Sequence, residues 1–119
     1  MPHLTLEFSD NILEKENLSV LFQQCHELLA QTLPTQISGC KSRALEYKNF
    51  YIGDGGTMNA FVHADLKVLP GRPEDLLINA GENIMEILKS HFTESRSKLQ
   101  LQITLEISAL EKTYFKFAG

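Results

Sequence analysis

The chain contains no tryptophan and only two cysteines, Cys25 and Cys40, among its 119 residues. Those two fall in no C-x-x-C or Cys/His spacing, so neither a metal site nor a redox pair is expected. The four histidines are scattered. No apolar run approaches the roughly 20 residues that a membrane helix needs. Basic residues are outnumbered, 11 against 15 acidic, for a net charge of −4. That balance argues against a nucleic-acid or membrane partner, yet leaves room for a local basic pocket. Phosphate-loop, nucleophile-elbow and H-E-x-x-H patterns are all missing, and with them the chemistries they serve. Polar and charged residues enter by Glu7, Ser9 and Asp10. No signal peptide is therefore expected, and the reduced cytoplasm is the expected compartment.

What is present suits one globular domain spanning 1–119, with 43% hydrophobic and 22% charged residues. Leu4, Leu6 and Phe8 alternate with His3, Thr5 and Glu7, which predicts a half-buried strand at the chain start. A helix is expected from near Asn17 to before Pro34, its apolar face formed by Leu18, Leu21, Phe22, Cys25, Leu28 and Leu29. His26 and Glu27 fall off that face and should be solvated. A second strand is expected over roughly Lys41–Ile52, then a turn at Gly53-Asp54-Gly55-Gly56. A third strand should cover about Met58–Leu69, with Val62, Ala64, Leu66 and Val68 on its inner side.

Pro73, Glu74 and Asp75 read as the start of a second helix, running to about Phe92 with Gly81 as a close-packing point. Thr93–Ser97 reads as a polar link. Leu99, Leu101, Ile103, Leu105 and Ile107 alternate through a last strand, and an apolar tail follows around Thr113–Phe117. The order is strand–helix–strand twice. This predicts an α/β (α+β) fold of two consecutive βαβ units, a four-stranded mixed sheet with two helices on one face. The glycine turn is expected to set the two units antiparallel.

The residues that could carry chemistry are few. Removal of Met1, allowed by the small residue behind it, would leave Pro2 with a secondary amine able to act as a general base. The alternative is an ordered edge strand with an idle terminus. Arg72, between Gly71 and Pro73, sits where a strand ends and a helix begins, a place that favours anions. Lys41 and Arg43 open the second strand. Cys40, beside them, could have its thiol pKa lowered, but without a partner histidine in sequence it reads as packing. His63 in mid-strand reads as a satisfied sheet residue.

Pro2-His3-Leu4, Ser9-Asp10-Asn11-Ile12, Lys41-Ser42-Arg43, Ala60-Phe61-Val62-His63 and Gly71-Arg72 together resemble the 5-carboxymethyl-2-hydroxymuconate Δ-isomerase family of the tautomerase superfamily. The resemblance runs along nearly the whole chain and is weakest at Tyr47–Met58 and in the tail. It implies a homotrimer without metal or organic cofactor. The implied reaction isomerises an unsaturated 2-hydroxy or 2-oxo polycarboxylate in aromatic catabolism, on the homoprotocatechuate route. In the family pattern the terminal proline, here Pro2, is the catalytic base, and an arginine at the position of Arg72 binds substrate carboxylate. Lys41 stands where the family has arginine, keeping the charge but losing the bidentate fork. Arg43 matches a family arginine. Other outcomes from the same residues are a phenylpyruvate-type tautomerase, a dehalogenase relative, or a non-catalytic oligomeric ligand-binding module with a blocked N-terminus.

Overall fold

The computed structural model describes residues 1–119. Alternation at the chain start produces β1 (His3–Ser9), with Leu4, Leu6 and Phe8 buried beneath the helices. Helix α1 (Leu18–Thr32) follows, burying Leu21, Cys25 and Leu29. Asn17 takes the cap position without a side-chain cap bond. Leu33 leaves the helical region ahead of Pro34, as proline demands. A 3₁₀ turn, Ile37–Gly39, leads into β2 (Lys41–Tyr47). Next come β3 (Asn59–Val68), α2 (Glu74–His91), the short α3 (Thr93–Lys98) and β4 (Gln100–Ala109).

The sheet order is β2-β1-β3-β4. Each βαβ unit closes with parallel strands, β1 on β2 and β3 on β4, and the units meet through antiparallel β1 and β3. Both long helices pack on one face over Val62, Ala64 and Leu66 of β3 and the inner row of β1. A side chain at Gly81 would meet Ile107 Cδ1 at 3.1 Å, so α2 lies close on β4 there. The expected architecture of four mixed strands beneath two helices is what forms.

Three local expectations are corrected. The second strand ends at Tyr47 and not at Ile52, because residues 48–58 form a connection that crosses the end of β1. Beyond the glycine turn the two units meet antiparallel, as expected, through β1 and β3, with β1 lying between β2 and β3. That turn is real. Gly53 and Gly55 take positive φ, and Asp54 Oδ1 accepts from Gly56 N at 3.0 Å and Asn59 Nδ2 at 2.9 Å. Thr93–Ser97 is helical, because the Glu14 carboxylate accepts from Ser95 N at 3.0 Å and Oγ at 2.5 Å and so caps α3 from outside. His26 is half-buried instead of solvated, with Nε2 2.7 Å from Ser42 Oγ. No helix is long and apolar enough to cross a membrane.

Candidate active site at the start of the first strand

Register decides which residues can meet. His3 of β1 pairs with Lys41 of β2 on one side and Lys67 of β3 on the other. The start of β1, the start of β2 and the end of β3 therefore share one end of the sheet. Pro2 is buried there, and its carbonyl accepts from Lys41 N at 3.0 Å, which ties the chain start to β2. Gly71, at φ 97°, turns the chain out of β3 and brings Arg72 to the same end. Its Nη1 donates to Leu69 O at 3.0 Å and its Nη2 to Pro34 O at 3.3 Å. The guanidinium thus links the β3–α2 turn to the α1–β2 connection. Its Nε is buried without a partner. An unpaired buried donor is costly, so this N–H would gain from an acceptor.

The amine at this end feels an unusual environment. In the structure it belongs to Met1; one residue further on it would belong to Pro2, so the Met1 amine stands in for the prolyl nitrogen. Its pKa is held below the ordinary value, first by burial, then by Arg72, with Lys116 and Lys41 adding to the effect and Cys40 opposing it. Lys41 Nζ reaches only Gly39 O, at 3.4 Å. The Met1 side chain lies against Gly39, where an added Cβ would come within 2.5 Å of Met1 Sδ. The ion pairs, Lys15–Glu46, His63–Glu106, Lys89–Glu86 and Lys98–Glu94, all lie elsewhere, so neither Arg72, Lys41 nor Lys116 is neutralised.

Arg43 lies two residues along β2 from Lys41, on the same face of the strand. It points from the helix-free face and its Nη1 donates to His3 Nδ1 at 3.2 Å. Arginine can only donate, so Nδ1 is the acceptor and Nε2 carries the proton given to Tyr114 Oη at 2.9 Å. His3 is thereby neutral, and its pKa is lowered first by burial and next by Arg43. Pro2, Arg72 and Lys41 come together; Arg43 holds His3 beside them. Cys40 is buried, and burial raises its thiol pKa although Lys41 opposes this, so the lowering expected from its basic neighbours does not prevail. Cys25 in the core is pushed up to about 12. His63 is a sheet residue, 2.7 Å from Thr104 Oγ1.

Three residues at this end were not legible in sequence as part of it. His3 looked like an ordinary outward strand residue, and Tyr114 and Lys116 lay in a tail without periodicity. Only the isolated cation between two aromatics, Phe115-Lys116-Phe117, hinted that the tail was more than apolar.

The profile of the 5-carboxymethyl-2-hydroxymuconate isomerase family matches residues 2–117. A 5-carboxymethyl-2-hydroxymuconate Delta-isomerase from Escherichia coli is 34% identical over 113 residues, which cover 95% of this chain and 90% of the relative. The crystal structure of a 5-carboxymethyl-2-hydroxymuconate isomerase from Deinococcus radiodurans R1 superposes with a TM-score of 0.90 at 27% identity, covering 99% of this chain and 90% of that one. A fused 4-OT described as a wild type symmetric trimer shares the fold, with a TM-score of 0.65 at 15% identity over 98% of this chain and 91% of its own.

Proposed function

The chain belongs to the 5-carboxymethyl-2-hydroxymuconate isomerase family, and from that premise we propose that Pro2, freed of Met1, is the general base of its reaction. The protein is an isomerase of the tautomerase superfamily acting on unsaturated 2-hydroxy/2-oxo polycarboxylates of the 5-carboxymethyl-2-hydroxymuconate type. Such a reaction moves one proton and shifts double bonds, with no net change in oxidation state. The prolyl nitrogen takes the proton from the dienol hydroxyl. As that O–H bond breaks, a ketone forms and the conjugated electrons move outward. The protonated amine then delivers the proton to a distant carbon, forming a C–H bond and regenerating the base. Nothing in this cycle calls on a cofactor or a nucleophile.

The observation that carries the proposal is the amine environment. A base works best with a pKa near the working pH. Burial, Arg72, Lys116 and Lys41 all disfavour the protonated amine at the start of β1. Arg72, with its unpartnered buried Nε, and Lys41 then serve as carboxylate-binding cations that also stabilise developing enolate charge. Arg43 acts one step back, orienting His3.

A homotrimer fits the exposed helix-free face of β4 and the unpaired tail aromatics, and the fused 4-OT of the same fold is a trimer. Both cysteines are unbridged, in keeping with a cytoplasmic enzyme of the homoprotocatechuate route. The test is twofold. Intact-mass measurement should show loss of one methionine, and Pro2→Ala should abolish most enol-to-keto turnover. Unchanged turnover in that variant would place the base elsewhere.

A further inference from the structure

We propose that Lys116, carried on the C-terminal tail, is a third carboxylate-binding cation of this site, and that Tyr114 is the latch holding it there. The proposal rests on the reading of Pro2, Arg72 and Lys41 above. Beyond Ala109 the chain has no regular structure, and such a segment ordinarily frays. One residue fastens it. Tyr114 is half-buried, its hydroxyl is 2.9 Å from His3 Nε2, and its ring meets the imidazole edge-on at 5.9 Å. Phe115 and Phe117 are each 91% exposed, so the tail is not held by its own apolar residues. Lys116, two residues on, is exposed, and its Nζ stands 3.6 Å from Met1 Sδ at the start of β1, close enough for its charge to act on the amine there; removal of Met1 frees the ammonium of that contact.

The chemistry favours a ligand with three negative groups. 5-Carboxymethyl-2-hydroxymuconate carries two muconate carboxylates and a carboxymethyl group, and Arg72 and Lys41 answer two of these. Lys116 has no carboxylate partner within the protein, although acids outnumber bases in the chain. A lysine on a flexible stem can meet a carboxylate whose position shifts as the substrate rehybridises. Lys116 therefore discriminates between tricarboxylates and dicarboxylates, whereas Pro2 serves both alike.

The experiment uses processed protein whose mass shows Pro2 as the first residue. Lys116→Ala is expected to lower kcat/KM on 5-carboxymethyl-2-hydroxymuconate by about tenfold or more, as befits a lost charge-assisted hydrogen bond, and chiefly through KM. Turnover of 2-hydroxymuconate, which lacks the third carboxylate, should change less than about twofold. Lys116→Arg should restore most of the loss, and Tyr114→Phe should lower the same ratio more weakly. Equal losses on both substrates, or none, would overturn the proposal. If the unaltered enzyme turns over neither substrate, the reading of Pro2 has failed, and calorimetric binding of the tricarboxylate still decides Lys116. Affinity equal in the unaltered protein and Lys116→Ala would then overturn it.

Discussion

Where β1 finishes, most polar groups meet partners within the protein, Asn11 Oδ1 being a buried exception. Ser9 Oγ accepts from Phe61 N at 3.0 Å, Asn11 Nδ2 donates to Asn59 O at 2.9 Å, and Ser95 Oγ accepts from Leu13 N at 2.9 Å while donating to Glu14. Asp54, on the loop above, is held below the usual carboxylate range by the hydrogen bonds it accepts from Gly56 and Asn59. Where β1 starts, the arrangement is reversed. Arg72 keeps a buried N–H without an acceptor, Lys41 and Lys116 lack counter-charges, and the amine is depressed instead of neutralised. One end satisfies most of its polar groups with its own chain. The other leaves positive groups without counter-charges, which is where the proposed substrate carboxylates would sit. A substitution should therefore cost stability at the first end and activity at the second.

The sharpest way to break that division is Pro2→Ala in processed protein. General-base catalysis contributes about 10²- to 10⁴-fold, so kcat should fall within that range while the melting temperature barely moves. Arg72→Ala comes next. It removes a cation proposed to bind substrate carboxylate, and kcat/KM should fall by roughly 10- to 100-fold. The sign of its pH effect is fixed. Arg72 lowers the amine pKa, so its loss raises that pKa, and the acidic limb of the kcat/KM profile moves to higher pH. Arg72→Lys should keep most of the pH position and lose part of the binding. A limb that stays in place in Arg72→Ala would show that the guanidinium does not act on the base.

The fold was largely legible in the sequence because it depends on period. Leu4, Leu6 and Phe8 in β1 and Leu101 to Ile107 in β4 alternate without interruption, and α1 stops where Pro34 requires. The errors fell where period is silent. Phe50, Tyr51 and Ile52 favour strand locally, but β2 ends at Tyr47 and these residues belong to the connection that crosses to β3 on the far side of β1. The α3 turn depends on Glu14, a residue far away in sequence, and no local signal announces such a cap. Of the candidate site, the gathering of Pro2, Lys41 and Arg72 at the chain start was legible because strand ends and a proline at position 2 are visible in one dimension. Tyr114, Lys116 and the tautomer of His3 were not, since each depends on where an irregular tail lies.

The satisfied end yields the next effect. Glu14→Gln keeps the size but replaces one acceptor oxygen with an NH2, which opposes a donor if it faces Ser95 N and leaves the hydroxyl proton without its acceptor if it faces Ser95 Oγ. Ser95 is fully buried, so the mismatch should cost about 1–3 kcal/mol. Thermal unfolding should show a drop of several degrees, with kcat/KM on either substrate unchanged in the folded protein. Lost activity at full stability would mean that the two ends are coupled, and the division drawn above would be wrong.

The smallest expected effect concerns pH and compares the two faces of the sheet at the start of β1. His3 and His26 both have folded pKa values below the ordinary histidine value, in each case chiefly through burial. Above about pH 6.5 the unfolded chain also holds them neutral, and their contribution to stability is fully present. As pH falls below that value the unfolded state takes up protons that the folded state resists, and stability declines until the folded pKa values are passed. His3 sits at the open end among Arg43, Lys41 and Lys67, so its protonation adds like charge to a basic cluster and removes the acceptor that Arg43 uses. His26 faces Ser42 on the helix side, where a hydroxyl can turn to accept from a protonated ring. The decline between about pH 6.5 and 5 should therefore shrink more in His3→Gln than in His26→Gln, measured by urea unfolding at each pH. The reverse order would mean that desolvation beneath α1 outweighs the field of the cations.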